Sequence, residues 1–157
     1  MAFLQFEKKQ HVYVLDSSSS SNFPYIALTK FPRNSELEYV VLLLYIQGQG
    51  SGQIRLNIYS NISQTTPIYS TSWIDIDDLQ SSATNKIIWT RFDFNRLPVT
   101  TGHQYVLQLE TQGYTRNGDT FYLSYCKQQT DEPNANTSSY VYHPLVKPAS
   151  FKLYTRS

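Results

Sequence analysis

The sequence predicts an all-β protein, an antiparallel β-sandwich. Three observations point there. Short runs of alternating apolar and polar residues recur along the chain, and Gly, Pro and Asn fill the gaps between them. No stretch carries the apolar 3.6-residue period of an amphipathic helix. Composition agrees: of 157 residues 15% are aromatic, with 13 Tyr and 8 Phe, types that fit a pleated, half-buried surface.

From the N-terminus, residues 11–15 form a short alternating strand, followed by a Ser tract at 17–21 too polar to pack. Residues 25–31 form a second strand, closed by Pro32. The longest is 36–46, with Leu37, Tyr39, Val41, Leu43 and Tyr45 on one face and Val40, Leu42, Leu44 and Ile46 on the other. Two apolar faces predict a central strand. QGQGSGQ at 47–53 places three glycines at alternate positions, the composition of a flexible hairpin tip.

Residues 54–60 alternate cleanly, with Ile54, Leu56 and Ile58 inward and Arg55 and Asn57 outward. Pro67 precedes a strand at 68–74, and 77–79 are expected to make one helical turn. In 86–94, Ile88, Phe92 and Phe94 share a face opposite Ile87 and Trp89. Leu97-Pro98 and Thr101-Gly102 punctuate before 104–111, where Tyr105, Leu107 and Leu109 point one way. Asn117-Gly118-Asp119 predicts a hairpin turn joining that strand to 120–126. A polar loop at 127–137 and two short strands, 139–143 and 150–155, close the chain. Eight to ten short strands at this spacing predict a jelly-roll type of sandwich. It would be a single domain over 1–157, with 1–22 and 139–157 as terminal segments placed to make contacts.

Charge and targeting narrow the function classes. The net charge is +1 and the basic residues are scattered, whereas phosphate binding needs a concentrated basic face. Nucleic acid is therefore not expected as a partner. The apolar run at 39–46 has eight residues, against about twenty for a spanning helix, so no membrane partner is expected either. Cys126 is the single cysteine and has no partner for an internal disulfide. Residues 1–10 carry Glu7, Lys8 and Lys9 instead of the apolar centre of a signal peptide, which predicts synthesis in a cytoplasm.

Chemistry-bearing residues are few. His11, His103 and His143 are far apart and lack ligand spacing. Cys126 reads as a small core residue at a strand end, and Glu36 and Glu38 as strand-entry charges. No nucleophile elbow and no phosphate-cradling Gly-Lys-Ser/Thr loop is present, so a non-enzyme is expected. Asp75, Asp77 and Asp78 form the one tight acidic cluster. Carboxylates at alternate positions make them candidate calcium ligands, with a solvated edge or a helix cap as the alternative. No other cofactor is implied. Tyr39, Tyr45, Phe92, Phe94, Tyr105, Phe121 and Phe151 are expected in the core. Trp73, Tyr114, Tyr122, Tyr140 and Tyr142 fall at strand ends or loops. As exposed rings they would stack on a sugar or anchor an interface.

The order of signals from Tyr39 onward resembles a known class of module. An apolar strand, a Gly-rich tip and Ile54-Arg55-Leu56-Asn57-Ile58-Tyr59 are followed by a Pro67 strand and Trp89-Thr90-Arg91-Phe92-Asp93-Phe94. Then come Leu97, Gly102-His103-Gln104-Tyr105 and the closing Phe151-Lys152-Leu153-Tyr154. This is similar to the jelly-roll modules of phage and other viral virion proteins, and to accessory carbohydrate-binding-like modules. The resemblance implies a non-catalytic virion protein, a capsid decoration or cement subunit that stabilises the shell by protein–protein contacts. Its partners would be the major capsid protein or other virion subunits, or further copies of itself, and its final location the virion. The alternative is a carbohydrate-binding or receptor-binding module of a phage tail fibre, with a glycan as partner.

Overall fold

A computed structural model of the chain describes residues 11–14, 25–31, 33–61, 63–80, 85–126 and 151–156. Among these, ten strands and one short helix follow one another. They are β1 (His11–Val14), β2 (Tyr25–Lys30), β3 (Ser35–Gln47), β4 (Gln53–Tyr59), β5 (Tyr69–Ser70), β6 (Ile74–Asp75), α1 (Ile76–Gln80), β7 (Asn85–Val99), β8 (Gln104–Gln112), β9 (Tyr122–Cys126) and β10 (Phe151–Arg156). The 127–137 loop and the 139–143 strand expected from the sequence lie outside the described residues, as does most of 1–22.

The strands pair antiparallel in two sheets. In the first, β3 is central, as its two apolar faces require. Strand β7 runs along one edge of β3 from Ser35 to Gln47. The other edge is shared: β10 pairs with β3 from Glu36 to Leu42, and β9 from Leu44 to Gln47. Strand β1 lies outside β9. In the second sheet β8 sits between β2 and β4, and β5 and β6 share the far edge of β4. Successive long strands thus alternate between sheets.

The core lies between them. Val40, Leu42, Leu44 and Ile46 of β3 and Phe92 and Phe94 of β7 meet Ile54, Leu56 and Ile58 of β4 and Leu107 and Leu109 of β8, all nearly or fully buried. Each such side chain contributes roughly 1.5–3 kcal/mol by leaving water. Two sheets packed face to face over one apolar layer make an all-β sandwich, as the alternation of the strands predicts.

Local geometry departs from the sequence reading at several points. Leu37 is fully buried in the core, on the face of Val40 rather than that of Tyr39. The cause is Glu38: Tyr39 faces Tyr154 and Leu37 faces Thr155, so Glu38 is an extra residue that reverses the alternation. Opposite it, β7 has its own insertion. Leu37 pairs with Leu97 and Tyr39 with Asp93, and within that gap Asn95 and Arg96 adopt φ of 51° and 59°. With the kink absorbed there, β7 runs on through Leu97 and Pro98 instead of stopping before them. The expected 68–74 strand is split into β5 and β6.

The glycine-rich segment is packed, not a loose tip. A Cβ on Gly48 would fall 1.8 Å from the carbonyl oxygen of Thr120, and one on Gly50 2.3 Å from the ring of Phe121. Nor does the Asn117-Gly118-Asp119 turn join a hairpin of the two long strands. It closes a local bridge between Asn117 and Phe121, while β8 belongs to the second sheet and β9 to the first. Among the described residues no helix is long and apolar enough to cross a membrane.

Candidate functional site: two outward sheet faces

The outer face of the first sheet is built from alternate residues of β10, β3 and β7. Lys152, Val41 and Arg91 form one row, and Tyr154, Tyr39 and Asp93 the next. Contacts along and between these rows tie the face together. Tyr39 and Tyr154 stack with centroids 4.4 Å apart at 17°. The Arg91 guanidinium lies 3.8 Å from the Tyr39 centroid, and Lys152 Nζ 4.9 Å from that of Trp89. Such cation–ring contacts fix flexible side chains in place. Tyr39 and Tyr45, expected in the core, are instead half-buried on the outer face of β3.

Three arginines there each have a carboxylate. Arg91 Nε donates to Asp93 Oδ1 at 2.8 Å, and that bond raises the arginine pKa further. Arg96 Nε donates to Glu36 Oε1 at 2.8 Å, and Arg156 lies 3.6 Å from Glu38. Glu36 and Glu38 therefore serve arginines. The insertion in β7 opens a depression of about 370 Å³ between Glu38, Tyr39, Arg91, Asp93, Asn95 and Arg96.

The outer face of the second sheet carries a polar seam along β4 and β8. Arg55 Nε donates to Glu110 Oε1 at 2.8 Å, Asn57 Nδ2 donates to the same oxygen at 2.9 Å, and Tyr59 donates its hydroxyl to Gln108 at 2.8 Å. The Arg55 guanidinium packs on the ring of Trp73 at 4.3 Å. One register row further, Gln53 stands directly between Gln112 and Asp75. Gln112 donates to Gln53, and Gln53 Nε2 donates to Asp75 Oδ1 at 2.8 Å. Beside this row is an open depression of about 530 Å³, with Gln53, Gln112, Asp75 and Asp77 on its walls and Gly52 and Gly113 at its base.

Of the aromatic strip expected from the sequence, Trp73 is half-buried at the seam. Tyr114 and Tyr122 are not exposed rings, since they are 0% and 2% accessible. Tyr114 packs edge-on to Phe121 at 5.6 Å, and its phenol oxygen accepts the backbone N–H of Leu123 at 3.0 Å. A residue just past a strand end was drawn inside because the chain there crosses between sheets. Tyr140 and Tyr142 lie outside the described residues. Asp75, Asp77 and Asp78 do not converge as expected of calcium ligands: among the described residues no three His, Cys, Asp or Glu side chains form a group able to hold a metal ion. Asp75 ends β6, whereas Asp77 and Asp78 sit in the first turn of α1. There they complement the helix N-terminus.

His103 is an exposed turn residue whose Nε2 lies 2.6 Å from the Ser60 carbonyl oxygen, and His143 lies outside the described residues. Sequence reasoning missed Gln53, Gln112 and Glu110 as members of a site. Their signal was present as the polar half of two alternating strands, but only register shows that Arg55 faces Glu110.

Comparison with protein-family models, with curated proteins and with solved structures finds no match to this chain.

Proposed function

We propose that this chain is a non-catalytic structural subunit of a viral particle, a jelly-roll protein that decorates the shell and acts by surface contact. The observation that carries the reading is the outer face of the first sheet. Its rings and cations, Tyr39, Tyr154, Arg91, Lys152 and Trp89, are held in fixed positions by each other. Aromatic and Arg side chains are the types that dominate protein interfaces, and rings immobilised beforehand lose little entropy on docking. The alternation of strands between sheets supports the jelly-roll assignment, and the order of signals along the chain supports the virion setting.

The mechanism is mechanical. A subunit seated across neighbouring shell proteins adds buried area that must be lost before the shell opens. The test is rebinding of the purified chain to particles stripped of it, followed by sedimentation. A Tyr39→Ala/Tyr154→Ala double variant that remains folded by circular dichroism is expected to lose occupancy at least tenfold. Full occupancy by the double variant removes this face from the attachment surface.

A further inference from the structure

Strand β7 is an edge of the first sheet. Along one side it pairs with β3, and among the described residues no strand pairs with its other side. The backbone N–H and C=O groups on that side form a row able to take a further strand. Proteins blunt such edges with proline, lysine or inserted residues. Here the insertion, Asn95 and Arg96, and then Pro98 lie toward one end of β7. From Trp89 to Asp93 the strand follows β3 in unbroken register and contains none of these devices.

That stretch carries a charge pattern complementary to itself. Arg91 and Asp93 are on the outer face, with 59% and 67% of their side chains exposed. A second copy related by a two-fold axis runs antiparallel, so the pivot residue decides which side chains meet. A pivot at Arg91 or at Asp93 sets that charge against its own kind, which is destabilising. Pivots at Trp89 or Thr90 leave Asp93 opposite an uncharged residue, Asn85 or Ile87. A pivot at Phe92 sets Arg91 of each copy directly against Asp93 of the other. The guanidinium is already positioned, 3.8 Å from the Tyr39 centroid. Its Nε serves the Asp93 of its own strand, which leaves its terminal N–H groups for a second carboxylate. On both sides of the axis the insertion at Asn95 and Arg96 ends the ladder.

We propose that two copies of this chain join edge to edge through β7, antiparallel about Phe92, with Arg91 of each opposite Asp93 of the other. The first sheets then run on from one copy into the next, and the Tyr39–Tyr154 faces of both form one surface.

The full chain is examined by sedimentation equilibrium over a concentration series, with charge-reversed variants in parallel. The parent is expected to pass from the mass of one chain to that of two. Arg91→Asp and Asp93→Arg, both at exposed positions, each set like charges opposite each other. Each is expected to weaken self-association about tenfold while circular dichroism stays unchanged. Mixed in equal amounts, the two variants are expected to form a heterodimer, because every opposed pair is then opposite in sign. The double variant Arg91→Asp/Asp93→Arg keeps the pair within the strand and is expected to dimerise as the parent does. The proposal is overturned if the parent stays a single chain at every concentration, or if the single reversals associate as tightly as the parent. It is equally overturned if neither the mixture nor the folded double variant regains the dimer.

Discussion

The backbone N–H of Leu123 donates to the phenol oxygen of Tyr114 across 3.0 Å inside the sandwich. Tyr114 follows β8 of the second sheet, and Leu123 belongs to β9 of the first. The bond thus braces the chain where it crosses between layers. Tyr114→Phe keeps the ring but leaves a buried N–H unsatisfied, which is expected to cost about 1–3 kcal/mol. Urea unfolding of the two proteins under identical conditions measures it.

Two hydroxyls work in the opposite direction. Thr90 and Thr111 are 3% and 4% exposed, and among the described residues their Oγ1 atoms have no hydrogen-bond partner. Valine fills the same volume without a polar atom to desolvate. Thr90→Val and Thr111→Val are each expected to raise stability, by about 1 kcal/mol. A lowered urea midpoint for both would contradict the burial described for these positions.

The β7 insertion makes a conformational prediction. Asn95 adopts φ of 51°, where Asn is tolerated but a β-branched residue is strained. Asn95→Val is expected to destabilise by about 1–3 kcal/mol, and Asn95→Gly to change stability by less than about 1 kcal/mol. Equal effects from the two would mean that the backbone does not hold this conformation.

Gly48 tests the close approach to Thr120. Its φ is 73° and a Cβ would fall 1.8 Å from a carbonyl oxygen. Backbone cannot yield as a flexible side chain does. Gly48→Ala is expected to destabilise by about 3 kcal/mol or more, against about 1–2 kcal/mol for Gly118→Ala, which bears the conformational cost alone. Gly118 also has a positive φ, but it has open space around it. Thermal unfolding of the two variants in parallel separates contact from conformation.

Alternation made the layers legible. Ile54, Leu56 and Ile58 face the core as their spacing predicts, and so do Phe92 and Phe94. Where one inserted residue shifts the phase, the pattern misleads: Glu38 sends Leu37 inward and leaves Tyr39 outside. Partnership between sheets is equally hidden from a linear reading. Nothing local distinguishes an Asn-Gly turn that closes a long hairpin from one that caps a crossing, which is why Tyr114 and Tyr122 looked like surface rings. The second face was half visible. Trp73 and Asp75 are readable as candidates, but Gln53 and Gln112 become neighbours only through the register of β4 with β8.

The central claim, that the protein is a shell subunit acting through a fixed aromatic and cationic face, is tested most directly by counting. Particles from the protein's source are banded on a density gradient, and this chain is quantified by mass spectrometry against the major shell protein. The account predicts a fixed ratio comparable to the number of shell subunits. Absence of the chain from the particle band, while it remains abundant in the soluble fraction, would contradict it.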